Sequence, residues 1–277
     1  MNRRLSPAVL VLFSWCLAAL TSANSLGGVQ ADRRDTRKGS VDRDDVLKRF
    51  VDELVRIAPG SDDFPESVTV ASSSVTLRPT TSLRICRYET TQELYKVVTG
   101  QDPSRWKGPR NSVENVSRQD AGQFCSRLTE ILRERGLMAA TDVVRLPTDV
   151  EWEYCCRAGS GEPFCFGNLN DSPELLDQYA WHTGNAAGND PAVGVLLPNA
   201  YGLYDVHGYL WEYVDVDLGN KDAPKVAWTM GGSWRDPARM LVSDNRKAMP
   251  LTSKSDAVGF RCVVAGQSPQ KKKLPDR

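Results

Sequence analysis

The sequence predicts one mixed domain of helices and strands, built from short elements. Two stretches have helical spacing with clear stops, and the segments around them alternate apolar and polar residues. From Gly159 onward periodicity fades into a run rich in Gly, Asn, Asp and Pro. Six of the seven Trp nonetheless fall from Trp106 onward, and indoles in that number need a dry interior. A chain of 277 residues holds one large domain or two small ones. The pattern places one, at about residues 62–266.

Taken in order, residues 1–23 read as a secretory signal peptide. Arg3 and Arg4 precede an apolar run, Pro7 to Leu20, too short to span a bilayer comfortably, and Thr21-Ser22-Ala23 offers small residues for cleavage. An uncleaved anchor is the alternative; a lipidated Cys16 is discounted because Trp15 is bulky. The expected address is secreted or periplasmic, with no stable membrane span after cleavage. Residues 24–61 comprise a charged leader and an amphipathic helix. In that helix, Val41 to Ile57, Val46, Phe50, Leu54 and Ile57 recur at helical spacing before Pro59-Gly60. Its polar face mixes both signs, so it is expected to pack on its own domain or a partner subunit, not on a membrane.

Alternation at Val68, Val70, Val75 and Leu77, and again from Leu83 to Tyr88, predicts strands. A helix from Thr91 to Thr99 has Thr90 or Thr91 as its cap and Gly100 as its stop. A loop around Trp106 leads to a second helix, Arg118 to Arg135, with Ala121, Phe124, Cys125, Leu128, Ile131 and Leu132 on one face. Val143 to Leu146 is a short strand, and Thr148 with Glu151 forms a capping box that opens a helix through Trp152 and Tyr154. Asn199 to Val214 is a compact aromatic loop punctuated by Gly202 and Gly208, with Asp205 and Glu212 on either side of the second glycine. Residues 267–277 read as a solvated basic tail.

Charge and ligand counts exclude several functions. Thirty-five basic side chains balance 35 acidic ones, so no nucleic acid is expected as a partner. His182 and His207 are the only histidines, too few for a His-rich iron or zinc site. Beyond the signal, Cys86, Cys125, Cys155, Cys156, Cys165 and Cys262 contain no CxxC spacing. In an exported protein some of them should pair, and the sequence does not choose which.

Five runs in order resemble the formylglycine-generating enzymes, also called sulfatase-modifying factors. They are RYETTQELYKVVTGQDPSRWKGPRNSVENVSRQDAGQFCSRL (residues 87–128), RLPTDVEWEYCCRAGS (145–160), PNAYGLYDVHGYLWEY (198–213), MGGSWRD (230–236) and GFRCVV (259–264). The resemblance implies a C-type-lectin-like α+β fold with little regular secondary structure. It implies a disulfide between Cys125 and Cys262, which would contribute about 3 to 5 kcal/mol by chain entropy. It also implies a structural calcium ion held by side chains of Asp205 and Glu212 and backbone carbonyls of Gly208 and Leu210, hard oxygens of the kind calcium takes. Family members often have Asn where this chain has Tyr209.

The oxidases of this family bind copper through a cysteine pair shortly after the Gly-Gly-Ser run, and soft thiolates suit that metal. Here Asp236 stands where the first cysteine is expected, and no cysteine follows until Cys262. Copper is therefore not expected. The branch that makes sulfoxides in thiohistidine biosynthesis uses histidines that this chain lacks. Ser233, Trp234, Arg235, Asp236 and Arg246, with Asp244, are expected to line a cleft for a polar ligand. Serine with aspartate and no positioned histidine is not a nucleophilic constellation, and His182 reads as structural. The reading is a binding or accessory module for a protein or a polar small molecule. The alternative is a formylglycine-generating or related oxidoreductase that acts on a protein cysteine through other ligands. A third possibility is a subunit docked through its N-terminal helix.

Overall fold

A computed structural model describes residues 42–186, 190–216 and 226–266. The predicted signal peptide, most of the leader and the basic tail lie outside the described residues.

Helix α1 (Arg43–Asp52) starts at Asp42, whose side chain accepts from the amide of Asp44. It buries Val46, Leu47 and Phe50 and ends sooner than its periodicity predicts. Strand β1 (Leu54–Ile57) follows at once and pairs antiparallel with β4 (Leu83–Cys86), from Leu54 opposite Cys86 to Ile57 opposite Leu83. Apolar spacing fits a helix through Ile57, but a sheet edge was available to pair these backbone groups, and tertiary pairing overrode the local pattern. The apolar face of α1 packs inward on its own domain.

Between those strands, β2 (Val68–Thr69) and β3 (Thr76–Leu77) form a small hairpin. Helix α2 (Gln92–Thr99) is capped by Thr91 and closed by Gly100 at φ 76°. Helix α3 (Arg118–Glu134) opens on a capping box of Ser117 and Asp120. Strand β5 (Asp142–Arg145) precedes α4 (Asp149–Arg157), which opens on the predicted Thr148–Glu151 box. After the short α5 (Leu176–Tyr179) come β6 (Ala180–Trp181), β7 (His207–Gly208), β8 (Trp211–Val214), β9 (Val226–Met230), β10 (Arg246–Pro250), β11 (Val258–Gly259) and β12 (Val263–Gly266). The aperiodic second half is thus pinned by short strands, and β8 lies inside the stretch read as a loop.

The fold is α+β. One antiparallel sheet has the order β1-β4-β12-β5, and a second has the order β10-β9-β8-β11, with β11 parallel to β8. On the first, α3 lays down Ala121, Phe124, Cys125, Leu128 and Leu132. Phe124 stacks on Tyr95 at 5.4 Å and meets Phe260 edge-on at 5.3 Å. A second cluster gathers Trp152 and Tyr154 of α4 with Tyr201, Leu203, Val206 and Met230, setting the floor under the Gly-Gly-Ser run.

Candidate functional site

Gly231 and Gly232 turn the chain out of β9 with φ of 94° and 77°. A side chain on Gly232 would collide with Leu241, so glycine is required to bring Ser233 to its place. Ser233 is 1% exposed. Its hydroxyl and amide both donate to Asp236 Oδ2, at 2.5 and 3.0 Å, and Trp211 Nε1 donates to the same oxygen at 2.8 Å. Asp236 is therefore a fixed acceptor inside a small polar knot. A serine whose proton is committed to a carboxylate, with no histidine bonded to it, lacks the base and orienting group of an activated nucleophile.

The neighbouring side chains face outward. Arg235 stacks over Trp234 with Cζ 4.5 Å from the ring centroid, and Arg105 over Trp106 at 4.8 Å. Both guanidinium groups meet Asp256 Oδ2, at 2.7 and 3.3 Å. Trp234 Nε1 donates to the Asp256 carbonyl, and Trp106 is 45% exposed. Two planar cations on two indoles, sharing one carboxylate, leave donors free for a polar or acidic ligand. Arg246 and Asp244 belong to another network. Arg246 pairs with Asp149 at 2.7 Å and Glu153 at 3.3 Å, and fully buried Arg157 pairs with Glu153 at 2.9 Å and Asp244 at 3.6 Å. The predicted cleft residues thus divide between two sites. His182 bonds Asp177 at 2.7 Å.

In the loop from Asn199 to Val214, four residues take positive φ: Gly202, Asp205, Gly208 and Tyr209. Tyr209 holds its left-handed turn through its hydroxyl, which donates to the Pro191 carbonyl at 2.6 Å. Glu212 is 1% exposed and is gripped in fork geometry by Arg261, Nε to Oε2 and Nη2 to Oε1, both at 2.7 Å. Trp152 Nε1 adds a third donor at 2.9 Å. Asp205 Oδ2 accepts from the Gly194 amide at 2.8 Å, while its Oδ1 is buried without a partner. Glu89 completes the cluster, accepting from Ser112 Oγ and from the Leu210 amide.

Three buried carboxylates thus face one arginine. Burial first, then the charges of Glu212 and Asp205, push Glu89 well above the usual carboxylate range. Burial raises Asp205 to about 6. Among the described residues no group of three or more His, Cys, Asp or Glu side chains is placed to hold a metal ion. A calcium ion here would rely on backbone carbonyls beside its carboxylates. The unpartnered oxygen of Asp205 and the surplus of negative charge fit such an ion; the fork on Glu212 leaves that residue only part of its coordinating capacity. Glu89 and Arg261 stand inside the first and last of the five runs, yet sequence reading assigned them no role.

Cys125 Sγ and Cys262 Sγ lie 3.6 Å apart as free thiols. His207 is fully buried; Nδ1 meets the Leu241 carbonyl at 2.8 Å, and Nε2 accepts from the Cys165 amide at 3.1 Å. Burial lowers its pKa to about 4, so it is a neutral structural group.

Helices on one antiparallel and one mixed sheet, a Gly-Gly-Ser turn leading into a polar knot and a braced aromatic loop define a domain of the sulfatase-modifying type. The sequence profile of the sulfatase-modifying factor enzyme 1-like domain matches residues 45–266, and the chain belongs to that family. It is 27% identical to the chaperone protein LppX of Paenibacillus barcinonensis, a match covering 76% of this chain and 86% of that protein. It is 31% identical to the mouse (Mus musculus) inactive C-alpha-formylglycine-generating enzyme 2, over 57% of this chain and 50% of that protein, so it spans about half that relative's length. Proteins named formylglycine-generating enzyme, from Mycobacterium tuberculosis and Bos taurus, match at 31% and 30% identity, so percentages do not separate them from the inactive one. Among solved structures, Treponema denticola variable protein 1 superposes with a TM-score of 0.62 at 22% identity, covering 76% of this chain and 94% of that one. That likeness shows the fold.

Proposed function

We propose that this domain is an exported binding or accessory module of the sulfatase-modifying family, without the copper-dependent oxidation of cysteine. One observation carries the reading. Where a thiolate is needed for copper, Asp236 offers a hard carboxylate already bound by three internal donors. Similarity to a chaperone protein and to an inactive enzyme supports an accessory role. The ligand, a protein segment or a polar small molecule, would meet the Arg–Trp pairs at Trp234, Arg235, Trp106 and Arg105.

The test is incubation of the full chain with copper, oxygen and a cysteine-containing sulfatase peptide, read by mass spectrometry. The peptide is expected to keep its thiol mass; conversion to the aldehyde at catalytic turnover overturns the reading in favour of the oxidase.

Two structural features accompany the proposal. A calcium ion held by Asp205, Gly208, Leu210 and Glu212 would balance the surplus carboxylate charge and brace the aromatic loop. Thermal unfolding in calcium against chelator is expected to separate by several degrees, and superimposable curves exclude the ion. A Cys125–Cys262 disulfide would tie α3 to the sheet, consistent with export to an oxidising compartment. Among the described residues no helix is long and apolar enough to cross a membrane.

A further inference from the structure

The Cys125–Cys262 contact has a third member. The antiparallel register of β4 and β12 pairs Ile85 with Val263 and Arg84 with Val264, which sets Cys86 directly opposite Cys262. The Cys86 amide donates to the Cys262 carbonyl at 2.9 Å. Residues opposite one another on antiparallel strands have Cα atoms about 4.5 to 5.5 Å apart, inside the range a disulfide spans. Cys262 therefore has one sulfur partner above it on α3, with Sγ 3.6 Å away, and another beside it on the sheet. Three thiols cannot all pair.

We propose that Cys86 is an exchange partner of Cys262, so that the disulfide of this domain stands in either of two places, Cys125–Cys262 or Cys86–Cys262. The proposal rests on the disulfide reading above and extends it. The step conserves atoms and electrons. Cys86 gives up its thiol proton and its sulfur bonds to Cys262 Sγ. The Cys125–Cys262 bond breaks, and Cys125 leaves as a thiolate that takes up a proton. No oxidant is consumed; the first disulfide comes from a small-molecule disulfide such as oxidised glutathione.

Three observations assign the roles. Cys262 is fully buried, and its thiol is pushed well up by that burial and then by its two sulfur neighbours. As the sulfur common to both linkages, it is the one attacked. Cys86 keeps 8% of its surface exposed, against none for Cys262, and the residue lines a pocket with Phe50, Glu53, Tyr88, Glu93 and Arg110. The two alternative loops differ in length by about a quarter, but closure entropy grows only with the logarithm of length, so chain entropy separates them by only about 0.2 kcal/mol. What differs is the tether. Cys125–Cys262 fastens α3 to the first sheet, whereas Cys86–Cys262 joins strands that are already hydrogen-bonded and leaves α3 held by packing alone.

The experiment equilibrates the full chain in glutathione buffers of graded poise, quenches in acid, labels free thiols with N-ethylmaleimide and maps linked peptides without reduction. Both linkages are expected in the native sequence. Cys86→Ser should keep Cys125–Cys262 only, and Cys125→Ser, checked for folding by circular dichroism, should keep Cys86–Cys262. A native map with Cys125–Cys262 alone and Cys86 fully labelled overturns the exchange while leaving the disulfide reading intact. A map with only Cys86–Cys262 overturns that reading and the alternation together, and so does a map with neither linkage. Because the deciding map is made on the native sequence, a variant that fails to fold does not obscure the result.

Discussion

Arg261 is the residue on which the brace of this domain turns. Its fork on Glu212, at 2.7 Å on both arms, lies in a site where both side chains are 1% exposed. Removing one member of such a pair leaves an uncompensated buried charge, a loss of about 3 to 5 kcal/mol. Arg261→Met is expected to cost that much in urea unfolding at neutral pH, and a loss under 1 kcal/mol would mean that Glu212 is compensated otherwise. Arg261→Lys should recover only part, because an ammonium cannot reproduce the fork. The sequence made Glu212 conspicuous, a carboxylate in an aromatic run. It hid Arg261, whose partner lies 49 positions away; no periodicity reports a pairing at that range. Asp236 was legible as the wrong ligand type for copper, but its capture by Ser233 and Trp211 was not.

At the scale of elements, local chemistry was readable wherever the local signal decided the outcome. The caps at Thr91 and Thr148 and the stop at Gly100 stand as the pattern predicts, because a cap needs only its own first turn. Leu54–Ile57 followed a signal from elsewhere, the free edge of β4. Cleft membership behaved the same way: Ser233 and Asp236 are joined by a four-residue turn, whereas Arg246 on β10 is claimed by α4. Gly208 on β7 carries the corresponding prediction. It has φ 78°, and a Cβ there would run into the Trp181 carbonyl. Gly208→Ala combines a left-handed penalty of about 1 kcal/mol with overpacking of about 1 to 3 kcal/mol. A fall in stability of about 2 to 4 kcal/mol is expected; an unchanged unfolding midpoint would show that β6 and β7 separate freely.

For the whole molecule, family membership was legible because five motifs keep their order across the domain, and the fold followed from it. The balance of buried ionisable groups was not, since it depends on which residues the fold brings together. Two of them oppose each other with pH. His207 has its folded pKa lowered to about 4. Its contribution is complete above its ordinary value near 6.5 and is lost as pH falls toward 4. Asp205 is raised to about 6, so its contribution is complete below its ordinary value and is lost as pH rises through 6; Glu89 acts in the same direction. The stability gap between the native sequence and His207→Gln is expected to widen by on the order of 3 kcal/mol as pH rises from 4 to 6.5. Urea unfolding of both proteins at matched pH reads that gap, and a flat gap would show that His207 is protonated freely in the fold.

The position of β12 in the first sheet sets a timetable. It lies between β4 and β5, yet it is the last of the described strands to be synthesised. Until residues 263–266 leave the ribosome, β4 and β5 have no strand to join them, and the floor beneath α3 stays open. Until then β4 can pair only with β1, and the apolar face of α3 waits for its floor. Such a topology, dominated by contacts distant in sequence, folds slowly, and it gives holdase chaperones a long interval in which to bind.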